Sequence, residues 1–227
     1  MKPEPSIPGF RPELVLFDAG GTLVLIHPDR FNRFLADWDR PAVQPDRLVE
    51  AHFRAMSDYA GRLRGGAASE FRWWVNRFFE LAGVSLTNEM ADAFGGGTNM
   101  WHHPIPGAQE TVRSLIAGGY RVAVVSNSDG TVAEALERAG FGGLFELVID
   151  STAVGISKPD PGIFDLALGE LAVSPDRAWY VGDSYYHDVG GARAAGLAAA
   201  VLIDPLELAP PGQLSVQNIA ELTGLLP

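Results

Sequence analysis

The sequence predicts an α/β fold built on a parallel sheet, and three observations predict it. From residue 104 onward, short apolar runs alternate with segments of helical periodicity, a pattern of parallel strands joined by right-handed crossovers. Near the N-terminus the apolar run Leu14-Val15-Leu16-Phe17 stops at Asp18 and then at Gly20 and Gly21, as a buried strand does when it opens into a turn. Between these regions, residues 29–100 keep helical spacing with no comparable strand signal.

Each element has its own signal. Residues 1–12 are proline-rich and predict an extended lead-in. Residues 14–18 form the first strand, and 19–28 a glycine-containing turn ending at His27-Pro28. Phe31, Phe34, Leu35 and Trp38 recur at helical spacing. So do Leu48, Ala51, Phe53, Met56 and Tyr59, and then Phe71, Trp74, Val75, Phe78 and Phe79. This predicts about four helices, broken at Arg64-Gly65-Gly66, Gly83-Val84 and Gly95-Gly96-Gly97, with the aromatic residues forming their core. Strands are expected at 120–126, 145–149, 178–182 and 197–203, and helices at 106–117, 129–139, from Asp160-Pro161, at 187–195 and at 215–226.

Composition bounds the function. A formal net charge of −11 excludes a broad basic face for nucleic acid, although a local cation would still admit a small anionic ligand. Cysteine is absent, so no disulfide, thiolate nucleophile or cysteine zinc site exists. The N-terminal residues do not read as a signal peptide, and the aliphatic run 197–203 is too short to span a bilayer. The expectation is a cytoplasmic protein with no membrane partner. Lys2 and Lys158 are the two lysines among 17 basic residues, the others being arginine.

Four polar sites fall where open α/β sheets place their chemistry, just beyond the carboxyl ends of strands. Asp18 ends the first strand, and Ser126-Asn127 ends the strand YRVAVVS. Lys158 precedes the helix beginning at Asp160, and Asp183 ends AWYVG with Asp188 five residues on. Taken singly, these are ordinary turn and cap residues or a surface lysine. Together, three crowded carboxylates require a cation, and oxygen ligands with open water positions suit Mg²⁺. Lys158 and Ser126 would then hold a phosphoryl group that Asp18 attacks.

The chain resembles the haloacid dehalogenase-like (HAD) hydrolase superfamily, with a type C1 helical cap. The resemblance rests on Asp18-Ala19-Gly20-Gly21-Thr22-Leu23, Val124-Val125-Ser126-Asn127, Ser157-Lys158-Pro159-Asp160-Pro161-Gly162-Ile163-Phe164 and Val181-Gly182-Asp183-Ser184-Tyr185-Tyr186-His187-Asp188, in family order. It implies a Rossmann-like parallel core of residues 13–26 and 104–227 under a helical cap of residues 27–103. It implies Asp18 as nucleophile and Lys158 steadying its intermediate, with Thr22, Ser126 and Asn127 on the substrate. Mg²⁺ would be held by Asp18, the Gly20 backbone carbonyl, Asp183 and Asp188.

One position departs from the pattern. The family's phosphatases carry a second aspartate, the general acid and base, where this chain has Gly20. Such a group contributes roughly 10²–10⁴-fold. Three readings follow: a phosphatase with a good leaving group or a surrogate acid (His27, Tyr185 or His187), a 2-haloacid dehalogenase, or a metal- and phosphate-binding pseudoenzyme. Related dehalogenases usually carry serine and asparagine where this chain has Gly182-Asp183, so the retained Asp183 favours phosphoryl chemistry. A phosphonatase needs a cap lysine, and residues 27–103 contain none. The arginines Arg30, Arg33, Arg54, Arg72 and Arg77 are expected to be solvated charges, with a second anionic group of the substrate as the alternative. His102-His103 is expected to be a loop pair near the cap–core hinge rather than a metal site.

Overall fold

The computed structural model describes residues 11–68, 70–95 and 100–226. The expected lead-in (apart from its last two residues) and most of the glycine break after residue 95 lie outside them. β1 (Leu14–Phe17) is followed by a short β2 (Val24–Ile26) and four helices: α1 (Pro28–Asp37), α2 (Pro45–Arg64), α3 (Phe71–Ala82) and α4 (Asn88–Gly95). β3 (Trp101–Pro104) returns to pair antiparallel with β2. There follow α5 (Ala108–Ala117), β4 (Arg121–Ser126), α6 (Val132–Arg138), β5 (Val148–Asp150), α7 (Ser151–Val154) and α8 (Gly162–Leu171). β6 (Ala178–Gly182), a π-helical turn at Tyr185–Gly190, α9 (Gly191–Ala194), β7 (Ala199–Ile203), β8 (Ser215–Val216) and α10 (Leu222–Leu225) complete the chain.

The main sheet is six-stranded and parallel, in the order β5-β4-β1-β6-β7-β8. All four residues of β1 are fully buried, because helices cover both faces. Val15 and Phe17 join Trp179, Val181 and residues of α5 and α6 on one face, while Leu14 and Leu16 meet Tyr180 and α8 on the other. Phe17 pairs with Val124 of β4 and Val181 of β6, so the next residue, Asp18, enters the crevice where the strand order switches direction.

The four helices between β2 and β3 share a separate apolar cluster that includes Phe31, Phe34, Trp74, Phe78, Phe79 and Phe94. Gly83 closes α3 in the left-handed conformation at φ 79°, which a glycine adopts without strain. α2 carries two apolar stripes. Leu48, Ala51, Ala55, Tyr59 and Leu63 face the helical cluster, whereas Phe53, with Val49, packs into the core beside β1.

Three differences from the sequence reading have local causes. The β2–β3 pair replaces a plain turn and loop, and His102 and His103 lie on its second strand. Strands this short carry no readable alternation. Residues 215–216 form an edge strand rather than the start of a helix, because their backbone pairs with Leu202 and Ile203. The expected helix over 187–195 begins as the π-helical turn, which the Ser184 side chain caps at the backbone N–H of His187.

Candidate active site

Asp18 leaves β1 with its backbone N–H donating to Val181 O at 2.8 Å, which places the residue at the carboxyl end of a central strand. The turn that follows closes tightly, the amides of Leu23 and Val24 both donating to Ala19 O. Gly21 sits at φ 75°, and a Cβ there would lie 2.0 Å from Asp183 Oδ2. Only glycine lets the turn press this close to the opposing carboxylate.

Asp18, Asp183 and Asp188 present oxygens that all lie within 4.8 Å of one another, and all three residues are buried. Lys158 is buried among them. Its Nζ donates to Asp188 Oδ1 at 2.6 Å and to Tyr180 Oη at 2.8 Å, and stands 2.8 Å from Asp18 Oδ1 as an ion pair. Tyr180 Oη in turn donates to Val125 O at 2.7 Å, tying β6 to β4 beneath the lysine. Asp188 Oδ2 accepts from the Ser184 backbone N–H at 2.7 Å. A Cβ on residue 182 would lie 2.3 Å from Asp188 Cγ, so Gly182 clears the space that this carboxylate fills.

The electrostatics follow from burial. Desolvation pushes the Asp18 carboxyl up to about 7; Lys158 opposes the rise, while Asp188 and Asp183 add to it. Burial also raises Asp183, against a hydrogen bond from His52. Desolvation works against the charge on Lys158, but Asp18 and Asp188 outweigh it and hold the ammonium above its usual range. Burial, with Asp188 and Asp18 nearby, drives the Tyr180 phenol well above its ordinary value, so it stays a donor.

Three acidic groups facing one lysine cannot all ionise without a further cation. Asp183 Oδ1 is buried with no hydrogen-bond partner among the described residues, and Asp18 Oδ1 meets the Lys158 ammonium. A set of carboxylate oxygens with unspent acceptors fits a hard divalent cation such as Mg²⁺.

The other expected residues take varied places. Thr22 is fully buried next to the turn, with its Oγ1 unpartnered among the described residues. Ser126 is buried at the end of β4. Asn127, expected to face substrate, has both ends of its amide on the Lys158 backbone: Oδ1 accepts from Lys158 N at 2.8 Å and Nδ2 donates to Lys158 O at 3.0 Å. A Cβ on residue 20 would lie 3.4 Å from Trp101 Cε3, so an indole covers the position of the missing aspartate. Of the surrogate acids, His27 packs against His102 and His103, and Tyr185 against Arg64 and Arg193. His187 meets Ser184 Oγ through Nδ1 at 3.1 Å. Arg54, Arg72 and Arg77 pair with Glu50, Asp92 and Asp58 on the surface of the helices.

One residue at the site escaped the sequence reading. His52 of α2 is 2% exposed, and its Nε2 lies 2.6 Å from Asp183 Oδ2. The available signal was its place beside Val49 and Phe53, at i, i+3 and i+4, as the polar member of a core-facing set.

Fold and family together define a hydrolase built on a Rossmann-like parallel sheet. The chain belongs to the haloacid dehalogenase-like hydrolase family, which matches residues 12–196. A haloacid dehalogenase-like hydrolase domain-containing protein 3 of Bos taurus is 33% identical over 174 residues, 72% of this chain and 69% of that protein. A phosphoserine phosphatase of Thermus thermophilus is 48% identical over 66 residues, 29% of this chain and 26% of that protein. Among solved structures, a dehalogenase with an intermediate complex has the same fold, with a TM-score of 0.66 at 24% identity over 95% of this chain and 97% of that one. No helix among the described residues is long and apolar enough to cross a membrane.

Proposed function

We propose that the protein is a Mg²⁺-dependent phosphatase of small phosphorylated metabolites, working through a phosphorylated Asp18. The observation that carries this reading is the meeting of Asp18, Asp183 and Asp188 around Lys158, in a space that Gly182 clears for Asp188. A serine at position 182 could not coexist with this Asp188 placement, which favours the phosphatase over the dehalogenase reading. The local kinship with a phosphoserine phosphatase points the same way. Residues 13–26 and 104–227 would form the catalytic core and 27–103 its lid. The lack of cysteine fits a reducing compartment such as the cytoplasm.

Asp18, Asp183, Asp188 and the Gly20 carbonyl would hold the Mg²⁺, which supplies charge neutralisation for the phosphoryl oxygens. An Asp18 oxygen attacks phosphorus as the bond to the leaving oxygen breaks, and the electron pair departs with that oxygen. Lys158 offsets the charge on Asp18 and the transferring group, with Thr22 and Ser126 as donors to the phosphoryl oxygens. Asn127 keeps Lys158 in place. Water then attacks the phosphorus of the aspartyl phosphate, releasing inorganic phosphate and restoring Asp18. Gly20 offers no proton to the leaving oxygen, so substrates with stable leaving groups should react best.

An aryl phosphate assay tests this reading. Hydrolysis should require Mg²⁺, stop with excess chelator, and vanish in Asp18→Asn. Chelator-insensitive halide release from a 2-haloacid would replace the reading with dehalogenation. Phosphate binding without any turnover would replace it with a pseudoenzyme.

A further inference from the structure

His52 has no place in the chemistry described so far. It stands eighth in α2, on the face turned to the core, and is held between the rings of Phe53, Trp74 and Trp101 at centroid distances of 5.0, 5.7 and 5.5 Å. Its Nε2 reaches Asp183 Oδ2 at 2.6 Å, and its Nδ1 has no partner among the described residues. Packing does not explain this choice. The ring leaves its Nδ1 unpartnered among the described residues, a cost that an apolar side chain would avoid, so what the histidine adds is its contact with Asp183. The backbone has also yielded to the contact, since a Cβ on Gly21 would lie 2.4 Å from His52 Nε2 as well as overlapping Asp183.

A carboxylate can only accept, so the ring donates its Nε2–H to Asp183 Oδ2. That bond occupies one oxygen of Asp183 and leaves the other, the unpartnered Oδ1, as the free donor atom. Outer partners of this kind orient a ligating carboxylate, and their loss typically costs 10–100-fold in metal affinity. Here the partner comes from α2, whose opposite face belongs to the apolar cluster of the four helices.

We propose that His52 is a positioning residue for the metal site: its Nε2–H locks Asp183 for single-oxygen ligation, so full metal affinity requires α2 to be seated on the core. This rests on the reading of Asp183 as a metal ligand.

Titration calorimetry with Mg²⁺ alone tests it on the full chain, folding being checked by circular dichroism. His52→Leu keeps the bulk and removes the donor, and should weaken Mg²⁺ about 10–100-fold. His52→Gln restores an N–H at similar reach and should recover most of that loss. Equal affinity in all three proteins overturns the proposal. So does tighter binding in His52→Leu, which would make the ring an obstacle to the ion, and so does a Gln variant as weak as the Leu variant. Failure of the parent protein to bind Mg²⁺ would remove this proposal and the metal-dependent reading together. On the unmutated chain, the His52 Nε2–H proton resonance should stay hydrogen-bonded after Mg²⁺ is added, and its disappearance would overturn the proposal independently of any variant.

Discussion

Two glycines shape this site by the side chains they lack. At position 20 there is no carboxylate, and a Cβ there would make an ordinary contact with the Trp101 indole at 3.4 Å, so a longer side chain fits where that ring turns aside. Gly20→Asp is therefore expected to fold and to raise alkyl phosphatase activity toward the ~10²–10⁴-fold that a placed acid and base contributes. Steady-state assays on an alkyl phosphate check this, and unchanged rates would mean that another group already supplies the proton. At position 182 the reverse holds, because any side chain meets the Asp188 carboxylate. Gly182→Ser should displace Asp188, loosen the ion pair with Lys158 and weaken Mg²⁺ binding by at least tenfold, as read by calorimetry. Asp18 and Asp183 were legible from the sequence because each ends a strand, and Lys158 and Asp188 because each lies in a connection that leaves a neighbouring strand end, ends that converge in a parallel sheet. His52 was not. Its partner Asp183 lies far along the chain, and a histidine inside a helix carries no local mark of what it will face.

Among the elements, α2 has the most unusual task. One stripe stabilises the helical cluster and the other rests on the sheet core, so a single helix belongs to both packing systems. The four helices were legible from their aromatic spacing, since residues such as Phe31, Trp74 and Phe78 bury themselves at helical intervals. The β2–β3 pair was not, because each strand is only a few residues long and its partner lies beyond the whole helical segment. The stability of that segment depends on ring packing. Phe78 is fully buried, stacks on Trp74 at 5.1 Å and meets Phe31 and Phe79 edge-on. Phe78→Ala should cost about 3–5 kcal/mol, measured by urea denaturation. A loss below 1 kcal/mol would show that the cluster closes up around the gap.

For the molecule as a whole, the buried charges tie folding to pH. Without metal, Asp18 keeps its proton up to about pH 7 when folded, against 3.8 as its ordinary value. Between these values the folded chain binds more protons than the unfolded chain, so the contribution of Asp18 to stability falls as pH rises from 3.8 to 7. Burial holds His187 down to about 4 from 6.5, and its contribution is lost in the opposite direction, as pH falls through that window. Asp18→Asn removes the first effect alone. In chelator, the variant should gain stability relative to the parent as pH rises from 4 to 7.5, in paired denaturation curves. A pH-independent difference would mean that Asp18 is already ionised in the folded, metal-free protein.

The scarcity of lysine gives this enzyme a reporter of its own. Lys158 is 4% exposed and, with Lys2, is one of two lysines in the chain. Acylating reagents that modify surface amines will pass over Lys158 while the crevice stays shut. Its rate of labelling, followed by peptide mass spectrometry, therefore reports how often the crevice opens and frees the amine from Asp18 and Asp188. No fluorophore, engineered residue or known substrate is needed for that clock.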